Sequence, residues 1–261
     1  MSDIFKAIIL GIVEGITEYI PISSTGHLII TSEFLTFSAA NTETFNIAIQ
    51  LGAILSVLFL YSEFFKSFLS PKNWFSKDMK NIIIAIFPAL FFGFFLHSTI
   101  KEHLFSTETV MWALLVGAIA MIYIDKILKP QAITHSIHDI TSKQAFIIGC
   151  LQCFSLWPGM SRSGSTIIGG LIAKCNYETS AKFSFIIAVP VMICAVGYDL
   201  LKSYHLLTIE DIKLIGIGFA VSFVVAIFAI KTFIKILNSL KLFPFAVYRI
   251  ILALLLIWIY Q

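Results

Sequence analysis

Six apolar runs, each long enough to cross a bilayer as a helix, dominate this chain. They lie at about 44–61, 81–97, 110–128, 183–201, 212–231 and 244–260. A hydrocarbon layer about 30 Å thick takes roughly 17 to 25 helical residues to cross. Composition agrees: of 261 residues 58% are hydrophobic and 13% charged, with a mean hydropathy of +0.93, too little charge to coat a soluble core. A soluble enzyme, a nucleic-acid-binding domain and a disordered chain are thereby excluded. The net charge of +3 implies no anionic partner by itself. The stretch Met1 to Leu10 carries Asp3 and Lys6 without a cleavage pattern, and is read as mature sequence. Cys150, Cys153, Cys175 and Cys194 lie in or beside apolar stretches. With no second CxxC and no histidine cluster they read as small core hydrophobes rather than zinc ligands.

Two further apolar regions, about 4–32 and 145–173, are broken by polar clusters: Glu14, Glu18, Ser23, Ser24, Thr25 and His27 in the first, Ser161, Arg162, Ser163, Ser165 and Thr166 in the second. Neither suits a helix facing lipid. Lysine and arginine in the segments 62–81, 125–144, 174–182 and 231–249 number thirteen, against three in 31–43, 98–109 and 202–213. The richer set belongs in the cytoplasm. The alternation closes only if both broken regions enter and leave on one side, the first re-entrant from outside and the second from inside.

A shift of 138 residues superimposes the two broken regions, placing Gly11 on Gly149, Ser23 on Ser161, Gly26 on Gly164, Ile29 on Ile167 and Ile30 on Ile168. Thr17/Ser155, Glu14/Gln152 and Tyr19/Trp157 are similar pairs. Each copy precedes three spans, so an odd number of crossings turns the second upside down. The expected fold is an all-α integral membrane protein with inverted-topology repeats: six transmembrane helices plus two re-entrant helical regions. It forms a single membrane domain, 1–261, with repeat 1 at 1–128 and repeat 2 at 145–261. In such architectures broken helices meet near the midplane and build a site there. Chance similarity between apolar segments rich in Gly and Ser is the plainer alternative.

Glu14 and Glu18 stand one helical turn apart on one face. A carboxylate at membrane depth costs roughly 2.5–3.5 kcal/mol, and two side by side cost more. A shared proton, a divalent cation held by oxygens, or a protein cation could offset this; alternatively the pair simply faces water. Pro21 then stops the helix, and Ser23-Ser24-Thr25-Gly26-His27 supplies hydroxyls and an imidazole, the kit of an activated nucleophile. Ser and Thr there could equally cap the next helix, with His27 a packing residue. In the second cluster Trp157-Pro158-Gly159-Met160-Ser161-Arg162-Ser163-Gly164-Ser165-Thr166 combines a helix stop, glycines, hydroxyls and an arginine. Hydroxyls and bare N–H groups at a helix start cradle anions, and a guanidinium grips phosphate oxygens in pairs. The alternative for Arg162 is a structural ion pair with Glu14 or Glu18. An acidic cluster facing a phosphate cradle points to metal-assisted chemistry on a phosphate ester or anhydride, with a lipid tail on the substrate.

The run from Glu14 to His27 resembles the glutamate-rich motif of the bacterial undecaprenyl-diphosphate phosphatases, the bacitracin-resistance family. Pro158 to Thr166 resembles their second motif, and Phe45 to Leu55 and Phe245-Ala246-Val247-Tyr248-Arg249 are also similar to that family. The resemblance covers essentially the whole chain, apart from an idiosyncratic loop at 129–143. It implies removal of the terminal phosphate of undecaprenyl diphosphate, yielding the monophosphate carrier for peptidoglycan and other envelope polymers. It also implies a divalent cation (Mg2+ or Ca2+), a multi-pass place in the bacterial cytoplasmic (inner) membrane, and an active site facing the outer side. The partners it implies are a polyprenyl diphosphate lipid and the bilayer, with no nucleic acid and with a homodimer left open.

The expected mechanism has Ser24 attack the terminal phosphorus, Glu18 act as its general base and Arg162 hold the transferring group. Glu14, with or without Glu18, helps coordinate the cation. Ser23, Thr25, Gly159, Ser161, Ser163 and Thr166 are the expected substrate-binding residues. A version in which His27 is the nucleophile and Ser24 orients substrate stays open. The rival class is a secondary transporter or lipid flippase, since inverted repeats with broken helices also mark transporters. A structural scaffold leaves the charges at membrane depth unexplained.

Overall fold

A computed structural model describes residues 2–37, 42–104 and 106–260; residues 38–41, part of the expected connection 31–43, lie outside it. The described residues form helices and no strand beyond an isolated bridge between Thr134 and Cys175. In chain order the α-helices are α1 (Asp3–Thr17), α2 (Ser24–Phe34), α3 (Thr42–Leu60), α4 (Ser62–Ser67), α5 (Lys77–Leu104), α6 (Thr107–Ile122), α7 (Ser142–Gln152), α8 (Arg162–Ile172), α9 (Tyr177–Ser203), α10 (Ile209–Leu240) and α11 (Phe243–Tyr260). A π-helical turn, Tyr123–Leu128, extends α6. Five helices among the described residues are long and apolar enough to cross a membrane: α5, α6 with its extension, α9, α10 and α11. The sixth expected span coincides with α3, whose apolar stretch Thr44–Leu60 is shorter.

The two polar-interrupted regions are short helix pairs, α1–α2 and α7–α8. Pro21 cannot continue a helix, and α1 ends at Thr17 before it. In the second region α7 gives way to a 3-10 turn, Cys153–Leu156, ahead of Pro158. The leading helix of each pair packs on a long helix from the other half of the chain. A Cβ on Gly11 of α1 would lie 2.6 Å from the Gly218 carbonyl oxygen of α10, and one on Gly149 of α7 would lie 2.6 Å from that of Ala85 in α5. Only glycine lets the backbones approach so closely.

Beneath the two breaks lies an aromatic and aliphatic core. Tyr19 meets Phe185 edge-on at 5.1 Å, and the contacts run on through Phe233 to Phe245. The start of α11 is fixed by Asp125 at the end of α6: its Oδ2 accepts the N–H groups of Leu242 and Phe243, both at 2.7 Å, and its Oδ1 accepts the Tyr177 hydroxyl. A carboxylate at a helix N-terminus satisfies orphan donors and opposes the helix dipole. This anchor sets the register of α11, and therefore of Tyr248 and Arg249.

Two sequence expectations need correction. Arg249, counted among the cytoplasmic loop charges, is fully buried on α11; setting it aside leaves twelve basic residues against three, so the asymmetry survives. Of the cysteines, Cys175 is buried, Cys150 and Cys153 are half-buried, and Cys194 is exposed rather than in the core. All four are free thiols.

Asp125→Ala strands three donors at a helix junction. It should destabilise the protein by about 3 kcal/mol, read as a lower thermal midpoint in detergent, while Asp125→Asn, which keeps one acceptor oxygen, should lose less.

Candidate active site

The two breaks are built alike. Ser23 and Ser161, each immediately before the helix that follows, sit at φ 71° and 73°, a left-handed region costly for residues with a Cβ. Each turns its hydroxyl onward to accept the third backbone N–H of that helix, Gly26 N at 3.3 Å and Gly164 N at 3.1 Å. Capping therefore accounts for Ser23 and Ser161. It does not account for Ser24, which opens α2 with its hydroxyl unused by the helix.

Ser24 Oγ donates to Glu18 Oε2 at 2.6 Å. The other oxygen of Glu18 accepts from Arg162 Nη2 at 3.0 Å, an ion pair that joins the first break to the second. Arg162 also donates through Nη1 to the Ser184 carbonyl at 3.2 Å and lies over the Tyr19 ring, while its Nε has no partner. Glu18 and Ser24 are each 8% exposed, so hydroxyl, base and guanidinium share a largely dehydrated site where their interactions are strong. The structural ion pair, the alternative to a phosphate grip for Arg162, thus exists, and it sits beside the Ser24 hydroxyl.

Glu14 is fully buried one turn before Glu18, and neither of its oxygens receives a hydrogen bond. Its electrostatic neighbours are Glu18, of like sign, and Arg162. Arg162 is already bonded to Glu18. An uncompensated carboxylate at this depth calls for a proton or a cation. Two carboxylates plus phosphate oxygens and water would make a hard oxygen set of the kind magnesium or calcium takes, so the residues fit such an ion. No cluster of three or more His, Cys, Asp or Glu occurs among the described residues, which leaves substrate or water to complete any coordination.

His27 is held at both ring nitrogens. Its Nδ1 lies 2.7 Å from the Ser23 carbonyl, which can only accept, so Nδ1 carries the proton. Nε2 then accepts from the Tyr248 hydroxyl at 2.7 Å, and the two rings stack within 6° of parallel. The imidazole lone pair is thereby occupied. Tyr248 was missed as a site residue; its only signal was its place in a family-like segment 221 residues from His27.

The expected substrate-binding residues divide. Thr25 is half-buried at the start of α2, and Gly159 takes φ 95° where a Cβ would strike the Val110 carbonyl at 2.7 Å. Ser163 is buried, bonded to the Ser161 hydroxyl and the Ile20 carbonyl across the two breaks. Thr166 is 1% exposed, and its hydroxyl bonds the Arg162 carbonyl at 2.8 Å and the Ser184 hydroxyl at 2.6 Å. Its hydroxyl is thus taken up within the protein, beside the Ser184 carbonyl that accepts from Arg162. Beside Ile20 an apolar groove of about 250 Å³ opens between α1, α10 and α11, lined by Ile16, Ile20, Val225, Phe228, Thr232 and Phe245.

Comparison with known proteins shows the family. The profile of the family described as bacitracin resistance protein BacA matches residues 7–255. A Bacillus anthracis protein named undecaprenyl-diphosphatase 1 is 48% identical over 259 residues, covering 98% of this chain and 97% of its own. A Maridesulfovibrio salexigens undecaprenyl-diphosphatase is 47% identical over 258 residues, covering 97% of each chain. One from Geobacillus kaustophilus is 44% identical over 270 residues, 99% of this chain and 98% of its own. With both breaks inside the matched span, the chain belongs to the bacitracin resistance protein family.

Proposed function

We propose that this protein hydrolyses undecaprenyl diphosphate to undecaprenyl phosphate and inorganic phosphate, returning carrier lipid to peptidoglycan synthesis and conferring bacitracin resistance. The observation that carries this is the Ser24 hydroxyl donating to Glu18 at 2.6 Å while Glu18 is tied to Arg162: a nucleophile, its base and a phosphate-gripping cation in one contact chain.

Glu18 takes the Ser24 proton as Oγ forms a bond to the terminal phosphorus, and the anhydride P–O bond breaks to release the lipid monophosphate. Glu18 passes that proton to the departing lipid monophosphate and is again a carboxylate; water then attacks the phosphoserine phosphorus, giving a proton to Glu18, and as the P–Oγ bond breaks to free phosphate Glu18 returns that proton to Ser24 Oγ. Arg162 steadies the charge on the transferring group with the donors not used on Ser184. Glu14 and Glu18 are the residues that would hold a Mg2+ or Ca2+ ion, which when bound neutralises phosphate charge. The engaged lone pair of His27 favours Ser24 over His27 as nucleophile. The groove beside Ile20 suits the first isoprene units, because the Ile20 carbonyl is bonded to Ser163 at the phosphate cradle.

The finer topology belongs to the same reading: six spans with α3 as the sixth, the pairs α1–α2 and α7–α8 re-entrant, and the halves 1–128 and 145–261 as inverted repeats. Supporting it are the matched backbones at Ser23 and Ser161, the eleven-residue length shared by α2 and α8, and the like approaches of Gly11 and Gly149 to a carbonyl. An inner-membrane location with the site toward the outer side belongs to this reading, and the excess of basic residues in the segments read as cytoplasmic supports it.

Purified protein in detergent should release phosphate steadily from undecaprenyl diphosphate, stop with chelator and recover with Mg2+ or Ca2+. Binding without release would favour a transporter instead. Ser24→Ala should lower kcat by about three orders of magnitude, and acid-trapped phosphoenzyme should carry phosphate on Ser24; label on His27 would reverse the assignment. Thr166→Val should lower the thermal midpoint yet leave KM within about threefold, since it removes support and not a substrate contact. Thr232→Trp, which fills the groove, should raise KM for the long-chain diphosphate about tenfold while sparing turnover of a short prenyl diphosphate.

A further inference from the structure

Arg249 is buried without a carboxylate partner among the described residues. All five of its N–H donors go to backbone carbonyls. Nε donates to Leu114 at 3.1 Å and Nη2 to Ala113 at 2.9 Å, both on α6. Nη1 donates to Pro21 at 3.3 Å and to Met160 at 2.9 Å, and Nη2 also to Gly159 at 3.1 Å. One guanidinium therefore touches the first break, the second break and the helix that supports them. A Cβ on Gly117 would fall 2.2 Å from Nη2, so α6 carries a glycine where the guanidinium lies.

The carbonyls it holds are placed tellingly. Pro21 stands two residues before Ser23, and Met160 immediately precedes Ser161, the two residues in left-handed conformation. Those residues aim the starts of α2 and α8, and with them Ser24 and Arg162. Strained backbone of this kind persists only where its surroundings over-determine it, and a planar fork with five fixed donors can do so at several points at once.

We infer that Arg249 is a positioning residue that locks the two breaks together and so fixes the nucleophile Ser24 against the phosphate grip of Arg162. The inference rests on the activity proposed above. Arg249 acts through the two turns and touches no substrate. Lysine, with all its donors on one nitrogen, cannot span these carbonyls.

Arg249→Lys should therefore lower kcat about 100-fold with KM within about threefold, because a misplacement near 1 Å costs that much in turnover while binding by the tail is unaffected. Gly117→Ala keeps the arginine and presses on it, and should lower kcat about tenfold. Size exclusion and thermal midpoints give the folded fraction; if Arg249→Lys fails to fold, Gly117→Ala carries the comparison. Wild-type kcat in both variants, or a loss that only tracks the folded fraction, overturns the inference. A second readout needs no catalysis. Spin labels at Phe34 and Ile172, the exposed far ends of α2 and α8, on a background with the four cysteines replaced, should give a broader distance distribution in the variants. An unchanged distribution overturns the inference, whereas absence of phosphate release from the unaltered protein sinks only the proposed activity.

Discussion

Charge inside an apolar scaffold must be answered locally, and the Glu18–Arg162 pair is where this chain answers it across its two halves. Desolvating two ions costs several kcal/mol each, so such a pair adds little to stability unless further bonds satisfy it. Here they do: Ser24 takes the second oxygen of Glu18, and the Ser184 carbonyl takes a second arm of Arg162. Glu18 can take up a proton, and Ser24 and Arg162 can donate to another oxygen. Glu14 stands one turn away with the like-charged Glu18 carboxyl as its close neighbour, which makes it the group of the cluster most in need of a cation or a proton.

The breaks that bring these residues together carry a second burden. Interrupting a helix at membrane depth frees backbone N–H and C=O groups where water is scarce. The two interruptions satisfy each other: Ser163 donates to the Ile20 carbonyl, and Arg249 donates to carbonyls on both sides. Ser23 and Ser161 cap their own helices. A site at the meeting of two breaks therefore follows from backbone hydrogen bonding as much as from catalysis, since neither break could be buried alone at modest cost.

Much of this was legible in the sequence because lipid makes polarity conspicuous. Five expected spans fall on long apolar helices, and Glu14, Glu18, Ser24 and Arg162 stood out as polar residues in apolar surroundings. Less visible were residues whose role is set by distant partners. Arg249 sits in a stretch with Lys231, Lys235 and Lys241 and reads as one more loop charge, yet α11 begins at Phe243 and carries it inward. Thr166 shares a motif with Ser161, Arg162 and Ser163, but its hydroxyl is taken up by the Arg162 carbonyl and the Ser184 hydroxyl. Asp125 and Tyr248 meet their partners across 117 and 221 residues, and no local pattern encodes such contacts.

The two arginines of the chain divide the work by the kind of acceptor each meets. Arg162 faces a carboxylate on a side chain, and a guanidinium can pass its donors from one anionic oxygen to another, so its bond is suited to exchange. Arg249 faces only carbonyls, which are neutral and fixed to the backbone. Displacing any of them would leave both an acceptor and a buried cation short of partners. The first arrangement joins two charged side chains that can each take another partner. The second has no competitor within the site, and so holds the geometry against which the first one moves.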